Sequence, residues 1–378
     1  MPLRALTVSV VFVLLSACEP SQTERSAVAS RFPAPRIPRD NPLSTEKAEL
    51  GRRLFYDKRM SGNGTQSCGS CHKQELAFTD GKAQGVGSTG QVHPRSAMGL
   101  TNVAYVSALT WANPLQTALE SQALGPMFGE KPVELGLSGR EDELLAQLSA
   151  DALYPNLFQR AFPEEPASIS IASITKALAS FERTLISANS PYDRYVYDHD
   201  QEALTDSARR GMDLFFSERL ECFHCHGGFN FSDATIHVNS TFDETNFHNT
   251  GLYNLNGTGD YPAGNQGLYE LTGKARDRGR FRVPTLRNIA VTAPYMHDGS
   301  IATLEEVLDH YARGGRIIPS GPNSGDGALH PNKSLFVRRF DLRPEERADV
   351  VEFLRSLTDP DFLTTDRFSD PFSIPSSP

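Results

Sequence analysis

Residues 68–72 read Cys68-Gly69-Ser70-Cys71-His72, and residues 222–226 repeat the arrangement as Cys222-Phe223-His224-Cys225-His226. Two thiols three positions apart reach the two vinyl groups of one haem, and the His that follows is placed beneath the iron as proximal ligand. One alternative is a zinc site, since Cys-x-x-Cys supplies half of a tetrahedral thiolate set. Another is a disulfide within each motif, which leaves both adjacent histidines without a role. Two covalently attached haems account for all six residues: Cys68, Cys71 and His72 for the first, Cys222, Cys225 and His226 for the second.

The flanks of the two motifs also repeat. The first follows Gly51-Arg52-Arg53-Leu54-Phe55 and precedes Phe78-Thr79-Asp80; the second follows Gly211-Met212-Asp213-Leu214-Phe215 and precedes Phe231-Ser232-Asp233. Duplication of one haem-binding unit produces this pattern. Each unit opens on a helix whose apolar residues (Leu50, Leu54 and Phe55; Leu204, Met212 and Phe215) pack towards a haem face. Between the repeats Ile174, Leu178, Phe181 and Leu185 recur at helical spacing and predict an amphipathic helix near the junction. The polar stretch from Tyr192 to Gln201 marks the boundary. Residues 237–280, rich in Gly, Asn, Asp and Tyr, read as a long loop region around the second haem. Thr303 and Glu306 form a capping box ahead of a helix with Leu304, Val307, Leu308 and Tyr311 on one face. A last helix starts at Pro344 and buries Val350, Leu354 and Leu357. No run of alternating strands is visible. The expected fold is mainly α, with two cytochrome c-like haem domains related by internal duplication and joined by long loops. Residues 43–200 form the first domain and 201–378 the second.

A chain of 378 residues with 39% hydrophobic content has room for two cores. Its formal charge of -9, with no long Lys/Arg run, argues against a nucleic-acid partner. The first 17 residues carry one basic residue, Arg4, and then an apolar run from Ala5 to Leu15 too short to span a bilayer. They read as a secretion signal and imply a periplasmic protein. The signal ends in Leu15-Ser16-Ala17-Cys18, which resembles the lipobox of bacterial lipoproteins, where the Cys is acylated; an ordinary cleaved signal is the alternative. Residues 18–42 then read as a flexible tether. With Cys18 lipidated and four cysteines on haem, none of the chain's five is left for a structural bridge.

Three further strings carry a resemblance: Gln122-Ala123-Leu124-Gly125-Pro126, Phe281-Arg282-Val283-Pro284-Thr285-Leu286-Arg287-Asn288, and Thr292-Ala293-Pro294-Tyr295-Met296-His297-Asp298-Gly299. With the haem motifs, they resemble the diheme cytochrome c peroxidase and MauG superfamily from about Leu43 to about Leu357. Gly264-Asn265-Gln266-Gly267-Leu268-Tyr269-Glu270 and Asp309-His310-Tyr311 are most similar to the MbnH-type diheme enzymes of methanobactin operons.

The resemblance implies one haem open to hydrogen peroxide and a second that stores electrons. In ordinary members of the family a Met seventeen residues after the Pro of Thr-Ala-Pro closes the second iron, and MauG has Tyr there; the same count from Pro294 reaches Tyr311. A phenolate is a hard anionic ligand that favours oxidised iron, whereas Met favours the ferrous state. Met296 is the competing ligand. For the first iron, Ser88 stands where switching peroxidases place a capping His, and His93 lies five residues away. The resemblance assigns catalytic roles to Gln122 and to Glu134, which moves a proton between the peroxide oxygens; a shifted alignment would select Glu130. Trp111, the only Trp, matches the residue between the haems, with Ala112-Asn113-Pro114 in place of the usual Asp-Gly-Arg. Calcium between the domains is also implied, through Thr292, Pro294 and, in place of the usual Asn, Ser96.

The function the resemblance implies is oxidation of a partner-protein residue, Trp to kynurenine, by long-range electron transfer at the expense of peroxide. For MbnH-type enzymes that partner is MbnP, and an MbnP-like copper-binding protein is the expected substrate. The alternatives are a peroxidase fed by a small redox protein and a non-catalytic electron-transfer cytochrome.

Overall fold

The computed structural model describes residues 31–164, 169–242 and 245–373. The expected signal and the expected lipidation site Cys18 lie outside these residues. Five helices organise the chain: α1 Thr45–Tyr56, α2 Ile171–Glu182, α3 Asp206–Phe215, α4 Leu304–Arg313 and α5 Pro344–Arg355. Strand is limited among the described residues to two ribbons. In one, β1 Phe247–His248 lies antiparallel to β2 Phe281–Arg282; in the other, β3 Ile317–Ile318 pairs with β4 Gly325–Asp326. The fold is mainly α, as expected.

Each helix begins where a side chain satisfies an otherwise orphaned backbone N–H. Ser44 accepts from Lys47 at the start of α1, and Ser170 and Ser173 form a capping box on α2. Thr205 caps α3, Thr303 and Glu306 cap α4 reciprocally, and Pro344 opens α5. Helix α4 stops at Gly314, whose φ of 77° is the left-handed cap that glycine adopts without strain.

The two halves share one construction. Helix α1 crosses α2 at Gly51, where an added Cβ would stand 1.9 Å from the Ala177 carbonyl oxygen and 2.9 Å from the Phe181 Cβ. Helix α3 crosses α5 at Gly211, with the same two distances to the Asp349 carbonyl and the Phe353 Cβ. Between the helices of each pair, a left-handed Asn donates its backbone N–H to the carbonyl of the leucine just beyond the second helix: Asn102 to Leu185 at 2.9 Å and Asn288 to Leu357 at 3.0 Å. Around the first crossing Leu50, Leu54, Phe55, Leu178 and Phe181 form one core; around the second Phe215, Phe231, Val350, Phe353 and Leu357 form another.

Three segments depart from the sequence reading. From Arg31 onward the expected tether is packed: Phe32 is buried beside Tyr105 and Phe229, Arg36 donates to the His237 and Ser240 carbonyls, and the Asn41 amide donates to Glu120 at 2.7 Å. The polar boundary from Tyr192 to Gln201 carries a short helix, Pro191–Tyr197, with Tyr192 and Asp193 buried. Polarity misleads there because the Asp193 charge is matched by Arg287, 94 residues away, in a bidentate pair at 2.8 and 2.9 Å with both side chains fully buried. The tail after α5 returns to the first core, where Phe362 and Phe368 pack edge-on against Phe78. None of the described helices is long and apolar enough to cross a membrane.

Candidate diheme site

In the first unit Cys68–Cys71 is a single helical turn, held at its start by Ser67 and Ser70 in a capping box. The His72 ring donates from Nδ1 to the Phe78 carbonyl at 2.7 Å, which fixes the tautomer with its lone pair on Nε2, the nitrogen that would meet iron. Phe78 presents that carbonyl from a left-handed conformation, φ 64°. In the second unit the His226 ring makes the same bond to the Phe231 carbonyl at 3.0 Å, from φ 49°. Burial lowers the pKa of both imidazoles, keeping them in the neutral form that binds metal.

The four motif thiols are free, and burial raises Cys68, Cys71 and Cys222, the last to about 12. Unpaired thiols beside an oriented imidazole fit covalent haem attachment. They do not fit zinc: His72 and His226 are outside the two metal-like groupings among the described residues, and neither grouping holds both cysteines of a motif.

Glu134 lies on the first site. Its charge acts on His72, Cys71 and Cys68. Backbone pairing of Leu135 with Pro126 and of Leu137 with Met127 holds its segment against the turn that follows Gln122. Gln122 is half-buried at the end of the short helix Leu119–Gln122. Glu130 is exposed, with its carboxylate taken by the Ser138 hydroxyl at 2.9 Å. The loop bearing Ser88 packs on the same segment, Ser88 donating its backbone N–H to the Glu134 carbonyl at 2.7 Å. The His93 Nδ1 is engaged by the Arg95 backbone N–H at 3.1 Å.

A large cavity marks the second site. Cys222, Cys225 and His226 line it together with Leu304, Val307, Leu308 and Tyr311, so the whole expected face of α4 is turned inward. Tyr311 is half-buried in the cavity wall; desolvation raises its phenol well above the usual range, and the fields of Cys225 and Cys222 reach it. Met296 lines the same cavity from a left-handed backbone, φ 71°.

Trp111 joins the two units. Its indole N–H donates to the Ser96 carbonyl at 3.1 Å, and its carbonyl accepts from the Arg282 backbone N–H at 2.8 Å. Ser96, Thr292 and Pro294, the expected calcium residues, also border the second cavity. The Ser96 hydroxyl donates to the Met296 and His297 carbonyls at 3.2 and 3.3 Å, and the Thr292 hydroxyl donates to Ile289.

Some site residues have no periodic or spacing signal. His297 is stacked on Phe281 at 3.7 Å and meets the Trp111 ring edge-on at 6.5 Å; burial lowers its pKa to about 4. Arg282 is buried in the cavity wall, and desolvation lowers it to about 10. Burial opposes protonation of His248, but its 2.7 Å bond to Asp233, with Cys225 alongside, raises it to about 10. His297 and Arg282 stood inside the quoted strings; His248 had no signal.

The description "di-haem cytochrome c peroxidase" fits the family that matches residues 45–201. The methylamine utilization protein MauG of Methylorubrum extorquens is 34% identical over 341 residues, 89% of this chain and 86% of that one. The cytochrome-c peroxidase IdrP1 of Pseudomonas sp. (strain SCT) is 32% identical over 371 residues, 94% of this chain and 91% of that one. A crystal structure of a MauG-like protein associated with microbial copper homeostasis superposes with a TM-score of 0.89 at 50% identity, covering 91% of this chain and 98% of that one. With two haem-ready motifs on a duplicated helical frame, the chain belongs to the di-haem cytochrome c peroxidase and MauG family of peroxide-dependent oxidoreductases.

Proposed function

We propose that this protein uses hydrogen peroxide to oxidise a residue of a partner protein, a Trp converted to kynurenine, by electron transfer across both haem sites. The observation that carries the reading is Tyr311 lining one cavity with His226, Cys222 and Cys225. The resemblance in copper association between this chain's 50% identical structural neighbour and an MbnP-like partner supports a copper-binding protein as substrate.

When bound, the two haems supply an iron that accepts peroxide and a second iron that shares its oxidising equivalents. The protein's own groups do the rest. His72 and His226 would ligate the two irons, each ring fixed by its carbonyl bond. Glu134 takes the proton from the near oxygen of peroxide and returns it to the departing oxygen as water forms, with Gln122 orienting the peroxide. Ser88, in place of a capping His, leaves the first site open without prior reduction. Tyr311 closes the second site against small ligands. Trp111 bridges the units and lets electrons hop from one site to the other. Ser96 and the Thr292 and Pro294 carbonyls would hold a calcium ion that ties the junction together. The protein works in the periplasm, lipid-anchored through Cys18.

A second reading is a peroxidase that takes electrons from a small redox protein. Met296 in the second cavity favours it, as does the likeness to a cytochrome-c peroxidase. One equivalent of peroxide added to the oxidised holoprotein, without donor, separates the two. The first reading expects a long-lived state two oxidising equivalents above resting, with both haem spectra changed. Rapid turnover with reduced cytochrome and no such state sinks it.

A further inference from the structure

The second unit is a template against which the first can be read. Gly51 against Ala177 and Phe181 repeats Gly211 against Asp349 and Phe353, and Asn102 bonded to Leu185 repeats Asn288 bonded to Leu357. Along α2 and α5 the match is in constant register, so Phe353 stands for Phe181 and Leu354 for Glu182. Leu354 lines the cavity of the second haem site. The first unit therefore puts a carboxyl where the second puts an apolar wall.

Glu182 is only 8% exposed. Arg183, next to it, is turned to Glu120 in a bidentate pair at 2.7 and 2.8 Å. Among the described residues no hydrogen bond holds the Glu182 carboxyl. Its field on Cys68 is the strongest that any charged group exerts there. Burial raises its pKa to about 8. Burying a carboxyl is costly, the charge of the adjacent Arg183 offsets only part of that cost, and the same frame accepts Leu at the equivalent place. Structural need does not explain it.

We infer that Glu182 faces the first haem and, when ionised, lowers that haem's reduction potential, favouring its oxidised levels through a negative charge in a wall that is apolar in the twin site. It acts through the haem and touches no substrate, so it is a positioning residue. The asymmetry of the two sites then has two sources, Tyr311 in one and Glu182 in the other. The inference rests on the two-haem reading alone and needs no partner protein, so its failure leaves the proposed Trp oxidation standing, and the reverse.

Spectroelectrochemical titration of the holoprotein, without peroxide or partner, tests it at roughly pH 9, where the carboxyl is ionised. Glu182→Gln should ease reduction of the first haem by on the order of tenfold, about 59 mV for a one-electron couple. Glu182→Asp should keep the native value, and the second haem should stay unchanged in both. An unshifted first haem in Glu182→Gln, or both haems shifting together, overturns the inference. If that variant does not accumulate with haem attached, Leu354→Glu makes the converse test: the second haem must become harder to reduce, and an unchanged potential overturns the inference equally.

Discussion

Moving a proton across peroxide requires a carboxylate within reach of both oxygens, and two glutamates four positions apart competed for that role in the sequence. Spacing could not separate them, because the alignment shift that exchanges them changes no residue type. The structure places them differently: the charge of Glu134 reaches His72, while Glu130 is exposed beside Ser138. Replacing Glu134 by Gln should lower kcat/KM for peroxide by about 10²- to 10⁴-fold. Glu130→Gln should leave it unchanged in the same stopped-flow assay. The opposite pattern would move the proton-transferring role to Glu130. The two Cys-x-x-Cys-His motifs are legible because covalent haem attachment would fix both residue type and spacing. His297 and His248 were not, since their contacts join irregular segments: Phe281 and Trp111 for the first, Asp233 for the second.

At the scale of elements the two helix crossings carry the fold. A Cβ at Gly211 would stand 1.9 Å from a backbone carbonyl, and no side-chain rotation relieves that contact. Gly211→Ala and Gly51→Ala should each destabilise the holoprotein by about 1–3 kcal/mol or more, read from denaturant midpoints. Gly125→Ala, where an added Cβ meets nothing within 4 Å, serves as the control and should be near neutral. Equal stability in all three would mean that the crossings are looser than described. Helices α4 and α5 were legible from the Thr303–Glu306 capping box, from Pro344 and from 3.6-residue periodicity, because those signals are local. The packed segment from Arg31 to Asn41 and the returning tail at Phe362 and Phe368 were not. Both gain their order from partners far along the chain, which no local pattern records.

Across the whole molecule, the halves are joined by groups that the sequence presents as separate surface charges. Arg287 and Asp193 are fully buried, and the Arg287 Nε also donates to the Phe229 carbonyl at 2.7 Å. Removing one partner strands the other charge in a low-dielectric interior. Asp193→Asn should therefore cost about 3–5 kcal/mol in chemical denaturation, far more than loss of an exposed pair such as Arg339–Asp341. A loss below 1 kcal/mol would show the pair to be hydrated.

On this frame the two haem sites are built alike and finished differently, and Tyr311 is the clearest point of difference. Electron paramagnetic resonance of the oxidised holoprotein, native against Tyr311→Phe, tests that claim most directly. The account predicts that the low-spin signal of the second haem is lost or converted to high spin in Tyr311→Phe while the first haem's signal is unchanged. A second-haem signal identical to the native one would show that Met296 or another group closes that iron, and would contradict the account.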